Sequence, residues 1–396
     1  MLSRFSLLSE LVLTSEPLNR ILDGKDISLQ DAFEIFEKSE KDPRELFQTA
    51  QSLREQHKGK TVSFSKKVFF NLINLCKDTC SYCTYKAEPN ESKLSLMSKN
   101  SVLELLSLAK KFNCVEALFV TGEKPEQKYD EAKKWLKENG FSSTVEYLVY
   151  ASEMAISKDL FPHTNAGNLT KSEMRELQKT NSSMGLMLEN VSERLTQKGM
   201  PHHLASSKKP QNRLHVLQDA GELGIPMTTG LLIGIGETPI EIIESIFAIK
   251  NLNERFSNIQ EVILQNFQPK LDTKMKNFPS AQENYFKIVV ALTRIIMPKM
   301  NIQIPPNLSP NSYQSFLTIG INDWGGISPL TPDYVNPEFQ WPEINNIEQH
   351  TNNAGFNLEC RFPVYPEFFS FLNTHLKEKI SYLKTEQGFV KGDYWR

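Results

Sequence analysis

VFFNLINLCKDTCSYCTY (68–85) joins an apolar strand to three closely spaced cysteines. The run 68–74 is short, apolar and rich in Val, Phe and Ile, which suits a strand buried on both faces. Behind it come Cys76, Cys80 and Cys83, three of the chain's five cysteines. Further candidate strands follow: VEALFVT (115–121), VEYLVYA (145–151), SMGLML (183–188), PMTTGLLIG (226–234), EVILQNF (261–267), NIQIP (301–305) and FLTIGIND (316–323). Helical periodicity fills the gaps, as in SVLELLSLAKKF and PIEIIESIFAIKNLNERF. Eight strands alternating with helices predict an α/β fold, a parallel sheet closed as a (β/α)8 barrel, with an open doubly wound sheet as the alternative. A barrel would set the cysteines in the first strand-to-helix loop, on the face where such barrels do chemistry.

The flanks read differently. Residues 1–60 form a helical extension, 61–330 the barrel, and 331–396 a C-terminal capping extension rich in Pro, Asn and aromatics. The start, MLSRFSLLSELVLTSEPLNR, contains Arg4 and Glu10 and reads as an amphipathic helix rather than a signal peptide. Ser28 is placed to cap a helix whose Ala32, Phe33 and Phe36 share a face. With 45 basic and 47 acidic residues, a net charge of -2 and a pI near 6.4, nothing marks a nucleic-acid surface. No apolar run approaches the ~18 residues of a membrane span. Sparse cysteines argue against a disulfide scaffold, so the expectation is a cytoplasmic protein whose partners are small molecules and other proteins.

Three thiolates satisfy three irons of a [4Fe–4S] cluster, which otherwise takes four cysteines, and leave the fourth iron open to a Lewis-basic cofactor. A structural zinc site wants four closed ligands, usually in two pairs; His202 and His203 have no partner pattern. A ferredoxin-type carrier needs a fourth cysteine, and Cys114 and Cys360 are isolated, each reading as a small buried hydrophobe.

The spacing Cx3CxΦC with an aromatic at Φ, here Tyr82, is the signature of the radical S-adenosylmethionine (SAM) superfamily. Beyond it, EALFVTGEKPE, HTNAGNLT, NSSMGLMLENVSERL, DAGELGIPMTTGLLIGIGET, IQEVILQNFQPK and INDWGGISPLTPDYVNPE together resemble one branch, the CofG-type subunit of FO synthase, over most of residues 60–345. The resemblance implies that SAM chelates the open iron and is cleaved to a 5′-deoxyadenosyl radical. It implies that Gly122 and Glu123 meet the SAM amino group, Glu189 the ribose and Arg194 the carboxylate. Gly234 and Gly236 would let the backbone pass the adenine, with Glu237 opening the next helix. The G-x-G here lacks the third glycine and early position of a dinucleotide fingerprint, so NAD binding is rejected.

Candidate substrate groups lie on the same face. His163 is placed in the third strand-to-helix loop as a proton carrier, with Thr164 and Asn165 as hydrogen-bonding groups and Gly167 supplying an unusual backbone angle. Beyond the last strand, Asp323 is a catalytic candidate, and Trp324, Asp333 and Tyr334 belong to a polar and aromatic lid. The implied reaction closes 5-amino-5-(4-hydroxybenzyl)-6-(ribitylimino)-5,6-dihydrouracil to the deazaflavin FO of coenzyme F420 biosynthesis, with loss of ammonia. The implied partners are the tyrosine-using CofH-type subunit and an electron donor such as ferredoxin or flavodoxin. Related radical SAM reactions, or a non-catalytic iron–sulfur or zinc protein, are the rival readings.

Overall fold

The computed structural model describes residues 16–396; most of the expected amphipathic N-terminal helix lies outside them. Helices α1 (Glu16–Leu22), α2 (Leu29–Lys41) and α3 (Arg44–Lys58) precede the barrel. Ser28 caps α2 as expected, its hydroxyl accepting from the Asp31 N–H while the Asp31 side chain accepts from the Ser28 N–H. Then come β1 (Thr61–Ile73), α4 (Lys99–Lys111), β2 (Glu116–Thr121), α5 (Asp130–Glu138), α6 (Thr144–Ser157), β3 (Phe161–Asn165), α7 (Lys171–Gln178) and β4 (Ser183–Gly185). The second half holds α8 (Pro210–Glu222), β5 (Met227–Ile233), α9 (Pro239–Phe256), β6 (Ile259–Asn266), α10 (Glu283–Ile296), β7 (Ile302–Gln303) and β8 (Asp323–Ile327). The chain ends with α11 (Ile344–Asn353), β9 (Asn357–Cys360) and α12 (Thr374–Leu383).

Strands β1 to β8 pair in parallel in chain order, and β1 pairs with both β2 and β8, so the sheet closes as a (β/α)8 barrel. Two strand expectations fail. VEYLVYA lies inside α6, whose eight buried residues form one broad face while Glu146 and Glu153 stay exposed on the other; its Val and Tyr nonetheless read as β. The true third strand is FPHTN, disguised by its proline and polar residues. Likewise FLTIGIND holds a 3-10 turn, Tyr313–Thr318, and the eighth strand begins only at Asp323.

The ninth strand was not expected. The lower half of β1 carries β8 on one flank, through Ser63 and Asp323, and β9 on the other, through Thr61–Phe64. Residues 361–365 then cross beneath the barrel. The Arg361 N–H donates to the Phe64 carbonyl at 2.8 Å, and Gln260 Nε2 donates to the Pro363 carbonyl at 3.0 Å. The C-terminal segment thereby supplies the floor of the barrel, opposite the cysteine face. No helix among the described residues is long and apolar enough to cross a membrane.

Candidate active site

The cysteine loop leaves the top of β1 and is fastened on three sides by its own backbone. Lys77 N–H donates to the Glu123 carbonyl at 2.8 Å, Thr79 N–H to Leu204 at 2.8 Å, and Ser81 N–H to Pro201 at 2.8 Å. Gly122 is indispensable to this approach: a Cβ there would lie 2.0 Å from the Leu75 carbonyl oxygen and 2.8 Å from the Cys76 Cα. The next residue, Glu123, donates its N–H to Cys76 Sγ at 3.2 Å. All three thiols are free and half-buried, and each lies within electrostatic reach of another. Burial pushes the Cys76 thiol up to about 11 and the Cys80 thiol up as well. Metal therefore has to displace protons there. Among the described residues no three His, Cys, Asp or Glu side chains converge on one point for a single ion; a cluster instead seats each sulfur on a different iron. The three-thiol donor set fits such a cluster.

Tyr82 packs inward against Leu195, Leu232, Ile235, Phe267 and Met275 and meets His202 Nε2 through its hydroxyl at 3.0 Å. Glu123 is buried, its Oε2 accepting from the Asn168 N–H at 2.9 Å. Gly167, at φ +72°, makes room for that carboxylate, since a Cβ would lie 2.2 Å from Oε2. Glu189, at φ +65°, pairs one oxygen with Lys208, while its other oxygen is buried without a partner. Such an orphaned acceptor is costly and invites a ligand donor.

Other expected contacts are committed elsewhere. Arg194 grips Glu241 of α9 through Nε at 2.9 Å and Nη2 at 2.7 Å, and also donates to the Gly236 carbonyl at 2.7 Å. Its guanidinium therefore braces a turn and does not meet Glu189. Lys208, which sequence reasoning missed, occupies the place beside Glu189 and is the largest charge acting on Cys80. Gly234 and Gly236 adopt φ +96° and +105°, and Glu237 staples their turn by accepting from the Gly234 and Ile235 N–H groups at 2.6 and 2.8 Å.

Below the cysteine loop the barrel interior opens into a cavity. Its walls include Phe69, Leu118, Leu186, Met187, Ile263 and Trp341. Asp333 and Tyr334 line its mouth. Asp333 holds that loop by accepting from the Val335 and Asn336 N–H groups at 2.9 and 3.1 Å. The Val335 carbonyl in turn accepts from Thr84 Oγ1, just past Cys83, at 2.8 Å. His163 and Asn165 both face the cavity, because alternate residues of β3 point inward. Thr164 points the other way, buried, donating to Asn181 Oδ1 at 2.7 Å; it is not a cavity residue.

The lid candidate Trp324 and the catalytic candidate Asp323 also need correction. Trp324 is fully buried, donates Nε1–H to Thr351 at 3.0 Å and packs edge-on to Tyr313. Asp323 opens β8 rather than a loop, fully buried at the floor, paired with Arg361 at 2.7 Å and with Ser63. Alternation along β8 turns Trp324 outward toward α11, and the place of Asp323 at the start of that strand sets it at the floor rather than the mouth.

Around Asp323 a buried charged floor was missed altogether. Arg361 Nη2 also meets Glu261 Oε1 at 2.9 Å, Tyr365 donates to the same oxygen at 2.7 Å, and Lys67 pairs with Glu116 at 3.0 Å. Burial alone would raise Glu116, but the charges of Lys67 and Arg361 and the Ser65 hydroxyl outweigh it and lower its pKa. The available signal was a charge set into an otherwise apolar strand, singly in VEALFVT and QEVILQN and as a pair in KKVFFNL.

Comparison with known proteins places these features in context. Residues 70–249 match the model of the Radical SAM superfamily. The chain is 44% identical over 333 residues to the 7,8-didemethyl-8-hydroxy-5-deazariboflavin synthase of Methanopyrus kandleri, covering 83% of this chain and 100% of that one. It is 42% identical to the enzyme of that name from Methanococcus maripaludis, over 85% of this chain and 94% of the relative. The FO synthase of Nocardia farcinica is 38% identical over 92% of this chain, which spans 44% of that protein. Among solved structures, the hydrogenase maturase HydG of Carboxydothermus hydrogenoformans superposes with a TM-score of 0.70 at 21% identity, over 91% of this chain and 86% of HydG. At that identity the likeness concerns the fold alone.

Proposed function

Because this chain belongs to the 7,8-didemethyl-8-hydroxy-5-deazariboflavin (FO) synthase family of radical SAM enzymes, we propose that it performs the ammonia-releasing cyclisation of 5-amino-5-(4-hydroxybenzyl)-6-(ribitylimino)-5,6-dihydrouracil to FO. The supporting observation is a free cysteine triad fastened to the Gly122–Glu123 turn, in a loop that joins the mouth of a part-apolar, part-polar cavity through Thr84 and Val335. Bound there, a [4Fe–4S] cluster and SAM would supply a 5′-deoxyadenosyl radical.

The chain's own residues do the rest. Cys76, Cys80 and Cys83 would hold the cluster, and Tyr82 with its apolar neighbours packs against Cys80 and Cys83. The buried carboxylate of Glu123 suits the SAM amino group. The unpartnered oxygen of Glu189 suits a ribose hydroxyl, and Lys208 suits the carboxylate in place of Arg194. The glycine turn of 234–237 offers its backbone to the adenine. The cavity excludes water from the substrate, and the charged floor beneath takes its polyhydroxylated chain. A CofH-type subunit supplies the adduct. An acidic carrier such as ferredoxin or flavodoxin supplies electrons, and the surface near Ser81 suits it with Lys274 beside exposed Leu204 and Phe278.

Anaerobically reconstituted protein given the adduct, SAM and a reductant is expected to yield FO, 5′-deoxyadenosine and ammonia. Formation of 5′-deoxyadenosine without any FO would refute the substrate assignment. On the cofactor side, Lys208→Ala is expected to weaken SAM binding about tenfold, measured by equilibrium dialysis, with Arg194→Ala affecting it less.

A further inference from the structure

His163 carries a proton on one specific nitrogen, and the floor of the barrel decides which. Its Nδ1 lies 2.7 Å from the Ser183 hydroxyl, and that hydroxyl lies 2.5 Å from the Pro363 carbonyl. A carbonyl can only accept, so the single Ser183 proton goes to Pro363. Ser183 Oγ must then accept, Nδ1 must donate, and Nε2 is left with a bare lone pair. Lys67, Glu116 and Arg361 supply the charges facing this imidazole, and burial pushes its pKa down to about 4, so it stays neutral.

Nε2 is aimed at Gly185 of the neighbouring strand. A Cβ on Gly185 would lie 2.8 Å from His163 Nε2 and 3.5 Å from Asn165 Nδ2. Asn165 Nδ2 is a donor with no hydrogen-bond partner among the described residues. An acceptor and a donor therefore converge on one small seat, floored by bare glycine backbone and lying in the cavity wall. A flat ring can lie against that backbone, and Leu118, Leu186 and Met187 give it apolar company.

We infer that this seat reads the imide edge of the substrate's six-membered ring: His163 Nε2 accepts from a ring N–H, and Asn165 Nδ2 donates to the adjacent ring carbonyl. The assignment rests on the proposed substrate. It makes His163 a recognition group rather than a proton carrier, and Ser183 a positioning residue that fixes the tautomer through Pro363 of the C-terminal segment. Cyclic amides with that donor–acceptor edge fit, whereas a ring alkylated on the same nitrogen does not.

The test measures anaerobic binding of the adduct to reconstituted holoenzyme without reductant, using equilibrium dialysis, with iron content as the control for intact protein. Wild type is expected to bind the parent adduct at least about tenfold more tightly than its ring N3-methyl derivative. His163→Phe should weaken the parent by a similar factor and abolish that discrimination. His163→Gln, which can offer an oxygen near the Nε2 position, should restore part of it, and Ser183→Ala should erode it. Equal binding of parent and N-methyl adduct by wild type would overturn the inference. So would discrimination that survives in His163→Phe, or a His163-dependent loss that disappears when the ribityl hydroxyls are removed, which would give the seat to the polyol. Failure of wild type to bind the parent, with no FO formed, would remove the substrate assignment as well; binding with FO formed but no discrimination would remove only the seat.

Discussion

His163 and Gly122 show how much one residue can govern here. Burial holds the folded imidazole near pKa 4, whereas an unfolded histidine titrates near 6.5. As pH falls below about 6.5 the unfolded chain takes up the proton first, so stability is lost progressively toward pH 4. Glu261 acts in the opposite sense, because burial raises it and its contribution fades as pH rises. The fall in Tm between pH 7.5 and pH 5.5 should therefore be smaller in His163→Gln than in wild type; an equal fall would mean the imidazole is not buried neutral. At Gly122 the obstacle to a methyl is backbone, the Leu75 carbonyl and the Cys76 Cα, which no side-chain rotation relieves. Gly122→Ala is expected to cost about 1–3 kcal/mol and to reduce iron per chain after reconstitution. Full iron loading would show that the loop has slack.

At the level of elements, α6 and β3 exchange the roles their sequences suggest. VEYLVYA has the side chains of a strand, yet Ser143 starts it as a helix, its hydroxyl accepting from the Glu146 N–H. Packing on both sheet and neighbouring helices then overrides β propensity. Removing that cap by Ser143→Ala should destabilise the protein by about 1 kcal/mol in urea unfolding, an effect no strand at this position would produce. FPHTN, by contrast, becomes a strand because β2 and β4 flank it, with Leu118 opposite His163 and His163 opposite Ser183. That pairing brings the imidazole to its hydroxyl partner. A loop at this position, as the polar letters suggest, would have left His163 free to turn.

Across the whole molecule, the C-terminal segment is continuous with the site above it. Residues 357–365 add β9 to β1, insert Arg361 between Asp323 and Glu261, and present the Pro363 carbonyl to Ser183. Removing a single partner from such a buried set strands the remaining charges. Arg361→Ala should therefore cost about 3–5 kcal/mol, with part recovered when Asp323→Asn and Glu261→Gln are added. A cost below about 1 kcal/mol would mean that water reaches the floor. The sequence by itself determined the barrel class, the cysteine triad and the glutamate and glycine turns that follow strands, because each of these is a local pattern: a run, a spacing or a turn residue beside an apolar segment. Only the tertiary structure decided that Thr164, Trp324 and Asp323 lie away from the mouth, that Arg194 pairs with Glu241 while Lys208 pairs with Glu189, and that a floor of Lys67, Glu116, Glu261 and Arg361 exists. Those outcomes depend on strand register and on pairs 100 residues apart or more, such as Arg361 with Glu261 and Ser63 with Asp323, and side-chain direction across a closed barrel is set by neighbours that no local stretch of chain contains.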